Sequence, residues 1–217
     1  MTKEVINERP ELRSTDGLEL EAELWIPEVP RAGLVFCHPH PQMGGTMNAP
    51  LLVTVSEELV ERNWIVLRFN FRGIGESEGE PSTGSAEIAD ADGAVEFMRA
   101  RFPDLPVAIA GWSFGAAVAT RVAAADSDLA ALVAIAPAVK RKPGITDGLP
   151  PAEKIGLEIP ALVLCAGNDD MVDVEDCRSW AETAQTEFHA MPGANHFFWN
   201  KYEKLAQVVA EFLDAEV

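Results

Sequence analysis

Val107 to Ala125 reads VAIAGWSFGAAVATRVAAA, and its three parts differ in character. Val107 to Ala110 is a short apolar run with β character, Gly111-Trp112-Ser113-Phe114-Gly115 follows at once, and small helix formers continue from Ala116. The order strand, sharp turn, helix is the one a nucleophile elbow requires. In such a turn a serine is held in strain with its hydroxyl clear of the sheet, and glycine two places before and after it lets the strand and helix backbones approach. Gly111 and Gly115 occupy those places. A plain Gly-rich turn between buried elements would use the same letters, so the reading depends on partners elsewhere in the chain.

Working outward, apolar runs and amphipathic stretches alternate over most of the 217 residues. On the N-terminal side, Leu12–Ser14 and Leu18–Trp25 flank Thr15-Asp16-Gly17 and predict a hairpin with one wet face. Ala32–Cys37 reads as a buried strand, and His38-Pro39-His40-Pro41-Gln42-Met43-Gly44-Gly45 as a loop after it. A helix fits Pro50–Arg62, with Leu51, Leu52, Val55, Leu59 and Val60 on one stripe. Ile65–Phe69 predicts a further strand, followed by the glycine-punctuated loop Asn70–Ser77. That loop offers only Gly73-Ile74-Gly75 and no immediate helix, so a dinucleotide fingerprint fails there. A helix fits Ser85–Arg101.

Beyond the elbow, strands are predicted at Leu129–Ala136, Ala161–Cys165 and Glu187–Ala190. Helices fit Val174–Ala184 and a final segment ending near Leu213. The expectation is one α/β domain over 1–217: a doubly wound, mostly parallel sheet with an antiparallel N-terminal hairpin.

Composition narrows the partners. With 17 Lys+Arg against 35 Asp+Glu the formal charge is −18, so nucleic acid and anionic membrane surfaces would be repelled. The N-terminus lacks the apolar core of a signal peptide, and no apolar run approaches the roughly 18 residues of a membrane span. Cys37, Cys165 and Cys177 are odd in number and widely spaced, which fits free thiols and a cytoplasmic location. His38 and His40 lack an obvious third ligand, so no metal is expected, nor any cofactor. Lys140-Arg141-Lys142 reads as a solvated patch. A monomer or a homodimer fits equally.

In a parallel sheet, functional groups gather at the carboxyl ends of the strands. Standing there are His38, His40, Arg72, Ser113, Asp169, Asp170 and His196. A serine hydroxyl is a weak nucleophile that needs an imidazole to take its proton, and the imidazole needs a carboxylate to hold its tautomer. Here the chain order is Ser, Asp, His, with Asp169 and Asp170 both available. His189 lies within a predicted strand and is read as structural.

GWSFG at 111–115, Gly167-Asn168-Asp169-Asp170 after a late strand, and Gly193-Ala194-Asn195-His196 before the last helix resemble the α/β-hydrolase superfamily. HPHPQMGGTMNAP from His38 and RFNFRGIGESEG from Arg68 resemble, more narrowly, small bacterial hydrolases without a lid. The resemblance implies an esterase-like serine hydrolase acting on small or moderate carboxylic esters. It maps the nucleophile to Ser113, the acid to Asp170 by spacing from Gly167, and the base to His196. A thioesterase, peptidase or acyltransferase would use the same residues, and a non-catalytic binding protein could keep the same fold.

An oxyanion hole needs backbone NH groups, and one is expected from Phe114 at a helix N-terminus. The second is expected from the loop after Cys37, where Pro39 replaces the family's usual glycine. Pro39 and Pro41 have no NH, which leaves His40, then Gln42 or Met43. Met43, Trp112 and Phe197, with Phe114, are candidates for a substrate pocket. The stretch between Ala136 and Ala161 is too short for the family's cap, so an open site is expected.

Overall fold

The apolar runs become strands and the amphipathic stretches become helices. In the computed structural model, which describes residues 5–217, the chain begins with β1 (Val5–Glu8), β2 (Leu12–Arg13), β3 (Glu19–Leu20), β4 (Ala22–Pro27) and β5 (Ala32–Cys37). Next come α1 (Pro50–Glu61), β6 (Trp64–Phe69), α2 (Glu87–Arg101), β7 (Val107–Trp112) and α3 (Phe114–Ala125). The C-terminal part contributes β8 (Leu132–Ile135), α4 (Ala152–Ile155), β9 (Ala161–Ala166), α5 (Val174–Ala184), β10 (Glu187–Met191) and α6 (Tyr202–Glu216).

Eight strands join in the order β1-β4-β6-β5-β7-β8-β9-β10. From β6 to β10 every pairing is parallel, whereas β1 pairs with β4 and β4 with β6 antiparallel. The mostly parallel, doubly wound sheet is therefore as expected. Its central strands β5 and β7 are buried along their whole length, which is why they read as unbroken apolar runs rather than alternating ones. Leu34, Phe36, Ala108 and Ala110 face the layer of α1 and α6. Val35, Cys37 and Ile109 face α2 and α3 on the other side, and α5 covers β9 next to them.

Two departures lie at the N-terminal edge. The hairpin forms as a separate two-stranded ribbon, Leu12 opposite Leu20 and Arg13 opposite Glu19, while β4 joins the main sheet. Glu21 is the point of departure: its carbonyl accepts from the Asn70 amide, its amide donates to Ser77 Oγ, and its carboxylate accepts from Asn70 Nδ2 and the Glu76 amide. These bonds take the chain out of the ribbon's register. The exposed edge strand β1 carries no alternating signal and is missed by periodicity.

Between β8 and β9 the chain forms turns and the single-turn α4, so no cap domain is inserted there. The carboxyl end of the central sheet is left open above β5, β7 and β9.

Candidate active site

Ser113 links β7 to α3 at φ 56°, ψ −108°, a conformation that costs a non-glycine residue roughly 1–3 kcal/mol. The packing around that turn requires glycine on both sides of the serine. A Cβ on Gly111 would lie 2.3 Å from the Gly115 carbonyl, and one on Gly115 would lie 2.4 Å from the His38 carbonyl oxygen. Both obstacles are backbone, so no side-chain adjustment would make room. The Ser113 amide donates to Ile135 O at 2.8 Å and ties the turn to β8.

The imidazole of His196 completes the contact. Its Nε2 lies 3.1 Å from Ser113 Oγ, and its Nδ1 lies 2.8 Å from Asp169 Oδ2. A carboxylate oxygen can only accept, so the proton belongs on Nδ1 and the lone pair of Nε2 faces the serine. Both side chains are buried, Asp169 at 2% exposure.

The carboxylate in this relay is Asp169, which corrects the expectation of Asp170. Asp169 Oδ1 accepts from the amides of Met171 and Val172 at 2.8 and 2.9 Å, which turns its side chain inward and leaves Oδ2 for the imidazole. The Asn168 amide donates to Ala194 O at 2.8 Å and draws the loop after β9 against the loop carrying His196. Asp170, one residue on, is exposed. Binding turn amides and orienting the histidine are thus performed by a single carboxylate.

The loop after β5 borders the site. His38 is completely buried; its Nε2 accepts from the Phe71 amide at 3.0 Å and its Nδ1 donates to Pro39 O at 2.6 Å. Burial pushes its pKa down to about 4, partly offset by the bond to Pro39. The ring of His40 lies 5.1 Å from that of Phe114, and its Nε2 donates to Ile145 O at 2.9 Å. Pro41–Met43 forms a 3-10 turn in which the Met43 amide donates to His40 O. The two histidines are therefore committed to separate partners, and among the described residues no cluster of three or more His, Cys, Asp or Glu is arranged to hold a metal.

Arg72 does not reach the site. Its guanidinium bonds to Asp90 and Asp16, and these bonds brace the loop after β6. Cys37, Cys165 and Cys177 are free and buried, and burial pushes the Cys37 thiol up.

Ser113 and His196 stand where two lobes of a cleft meet, with His40, Met43 and Met171 also shared. The first lobe, about 330 Å³, is lined further by Phe114, Val139, Ile145 and Thr146, with Lys140 and Lys142 at its rim. The cluster Lys140-Arg141-Lys142 is exposed; Lys140 pairs with Asp176 at 2.5 Å, and Lys142 Nζ donates to Met171 O at 3.2 Å. The second lobe, about 270 Å³, holds Trp112, Phe197, Trp199 and Tyr202. Met43, Trp112 and Phe197 all line this second lobe. Trp199 and Tyr202 were missed, although the run His196-Phe197-Phe198-Trp199 carries the signal.

A family model, serine aminopeptidase S33, matches residues 28–158, more than half of the chain. The chain belongs to this hydrolase family. The match ends before Asp169 and His196, so their placement rests on the geometry above. The hydrolase is 30% identical to an α/β serine hydrolase without a lid from Xanthomonas campestris, with TM-score 0.82 over 99% of this chain and 95% of that one. It is 28% identical to an α/β serine hydrolase homologue from Coxiella burnetii, with TM-score 0.79 over 97% of each chain. An uncharacterized protein of Rickettsia prowazekii is 28% identical over 81% of this chain and 76% of its own.

Proposed function

We propose that this hydrolase cleaves carboxylic esters of small or moderate size through an acyl-enzyme intermediate. The observation that carries the reading is the unbroken line Asp169–His196–Ser113, at 2.8 and 3.1 Å. In this reading His196 Nε2 takes the hydroxyl proton as Ser113 Oγ bonds to the ester carbonyl carbon. Asp169 stabilises the imidazolium. As the tetrahedral intermediate collapses, the C–O bond to the alcohol breaks and His196 returns the proton to the leaving oxygen. A water deprotonated by His196 then attacks the acyl-serine, releases the acid and restores the hydroxyl.

The developing oxyanion is held by the amides of Phe114 and His40. Phe114 is the first residue of α3, where amides have no partner within the helix and the dipole favours negative charge. Among the alternatives in the other loop, Met43 is removed because its amide is spent on His40 O. The bond from His38 to Pro39 O holds the peptide immediately before His40. One domain supplies every group, and its free buried thiols suit a reducing, cytoplasmic setting. Among the described residues no helix is long and apolar enough to cross a membrane.

Labelling with a fluorophosphonate, followed by sequencing of the modified peptide, tests the nucleophile: adduct on Ser113 is expected, and an unlabelled native protein would refute the reading. A panel of short acyl esters, thioesters and aminoacyl amides, with and without a competing alcohol, separates esterase from thioesterase, peptidase and acyltransferase.

A further inference from the structure

The segment after His196 bends in a way that side chains rarely accept. Phe198 has φ 52° and Asn200 φ 59°, and a bulky residue at positive φ is an outlier held by its surroundings. Here Phe198 is buried completely. Its amide donates to Asn195 O at 2.9 Å, and its carbonyl accepts from the Lys201 amide at 3.0 Å. The consequence is that residues 197 and 199 present their rings together. Phe197 and Trp199 stack with centroids 5.1 Å apart and planes at 14°, yet they stay 37% and 60% exposed. A strained backbone thus holds two aromatic faces in water beside the reacting groups.

Their position selects the half of the ester they meet. Phe197 stands edge-on to the His196 imidazole at 5.6 Å, and Trp112 lies 6.2 Å from it. His196 borders both lobes, but the aromatic rings paired with its imidazole, Trp112 and Phe197, belong to the second, so that lobe is assigned to the alcohol half, whose oxygen takes its proton from the imidazole. The acyl half is left with the lobe beside Phe114. At about 270 Å³ the aromatic lobe is at the small end of the range for small-molecule sites.

We infer that the Phe197–Trp199 stack is the subsite for a flat aromatic group in the alcohol half of the ester, and that Trp199 sets the preference for it. Esters of arylalkyl alcohols and phenols are then the substrate class. The inference rests on the hydrolase reading above, and the two fail separately.

The test compares benzyl butyrate with cyclohexylmethyl butyrate, whose alcohols are similar in size and differ in having an aromatic face, the small leaving-group difference being the same in wild type and variants. The wild type is expected to favour the benzyl ester roughly fivefold in kcat/KM, through KM, as stacking on an aromatic face provides. Trp199→Leu should remove most of this preference, and Trp199→Phe should restore most of it. Because Trp199 is exposed, neither change threatens folding. A wild-type ratio of one, or a ratio unchanged in Trp199→Leu, overturns the subsite while leaving the hydrolase reading intact. If neither ester is hydrolysed, the ester-cleaving reading fails and NMR titration of the same protein with the free alcohols decides the subsite. Benzyl alcohol binding several-fold tighter than cyclohexylmethanol supports it, and equal binding overturns it.

Discussion

The turns after β7 and β9 deliver the two ends of one hydrogen-bonded line, but opposite kinds of constraint build them. After β7 the backbone is so crowded that a Cβ at Gly111 or Gly115 would collide with main chain, and the choice of residue is forced. After β9 two identical carboxylates stand side by side, and their roles are divided by which one faces inward. Asp169 faces inward because two amides of its own turn hold Oδ1. Steric constraint writes itself into residue identity, whereas a hydrogen-bond choice between like neighbours does not.

The contrast can be broken or sharpened by experiment. Removing the hydroxyl at the first turn has the largest effect: Ser113→Ala should lower kcat on a short acyl ester by on the order of a million-fold, as in other triads. Steady-state kinetics at saturating substrate check this. Next, Gly115→Ala should destabilise the fold by about 3 kcal/mol or more, because the new methyl meets the carbonyls of Cys37 and His38 and backbone must shift. Urea unfolding measures that loss, and a change within about 0.5 kcal/mol would show that the elbow is looser than its geometry implies.

A smaller effect concerns the loop that presses on the elbow. The folded pKa of His38 lies at about 4, below the ordinary 6.5, so the unfolded chain takes up a proton that the folded one refuses. Stability from this group is complete above pH 6.5 and falls as the pH drops toward 4, by on the order of 3 kcal/mol in total. Urea unfolding at pH 7, 5.5 and 4.5 should show a steeper acid loss in the wild type than in His38→Gln. Parallel pH profiles would contradict the buried neutral imidazole.

How much of the molecule was legible follows the same division. The strands β5, β7 and β9 announce themselves as apolar runs because a parallel sheet covered on both faces tolerates nothing else. Ser113 and His196 are legible from glycine spacing and chain order. Edge strand β1 is illegible because its exposed residues carry no periodicity, and Glu21 hides the break between β3 and β4 inside an alternating pattern. Spacing from Gly167 points to Asp170 and cannot report which of two adjacent side chains turns inward. The aromatic lobe was half visible: Met43, Trp112 and Phe197 were expected, but the stacking of Trp199 on Phe197 depends on the positive φ of Phe198, which composition does not disclose.

The central claim is that Asp169, and not its neighbour, orients His196. Its most direct test is the kinetics of Asp169→Asn and Asp170→Asn on one short acyl ester. Asp169→Asn should lower kcat roughly ten-thousand-fold, since an amide favours the wrong imidazole tautomer. Asp170→Asn should stay within about twofold of the wild type, as expected for an exposed side chain away from the imidazole. A large loss in Asp170→Asn with near-normal turnover in Asp169→Asn would contradict the account.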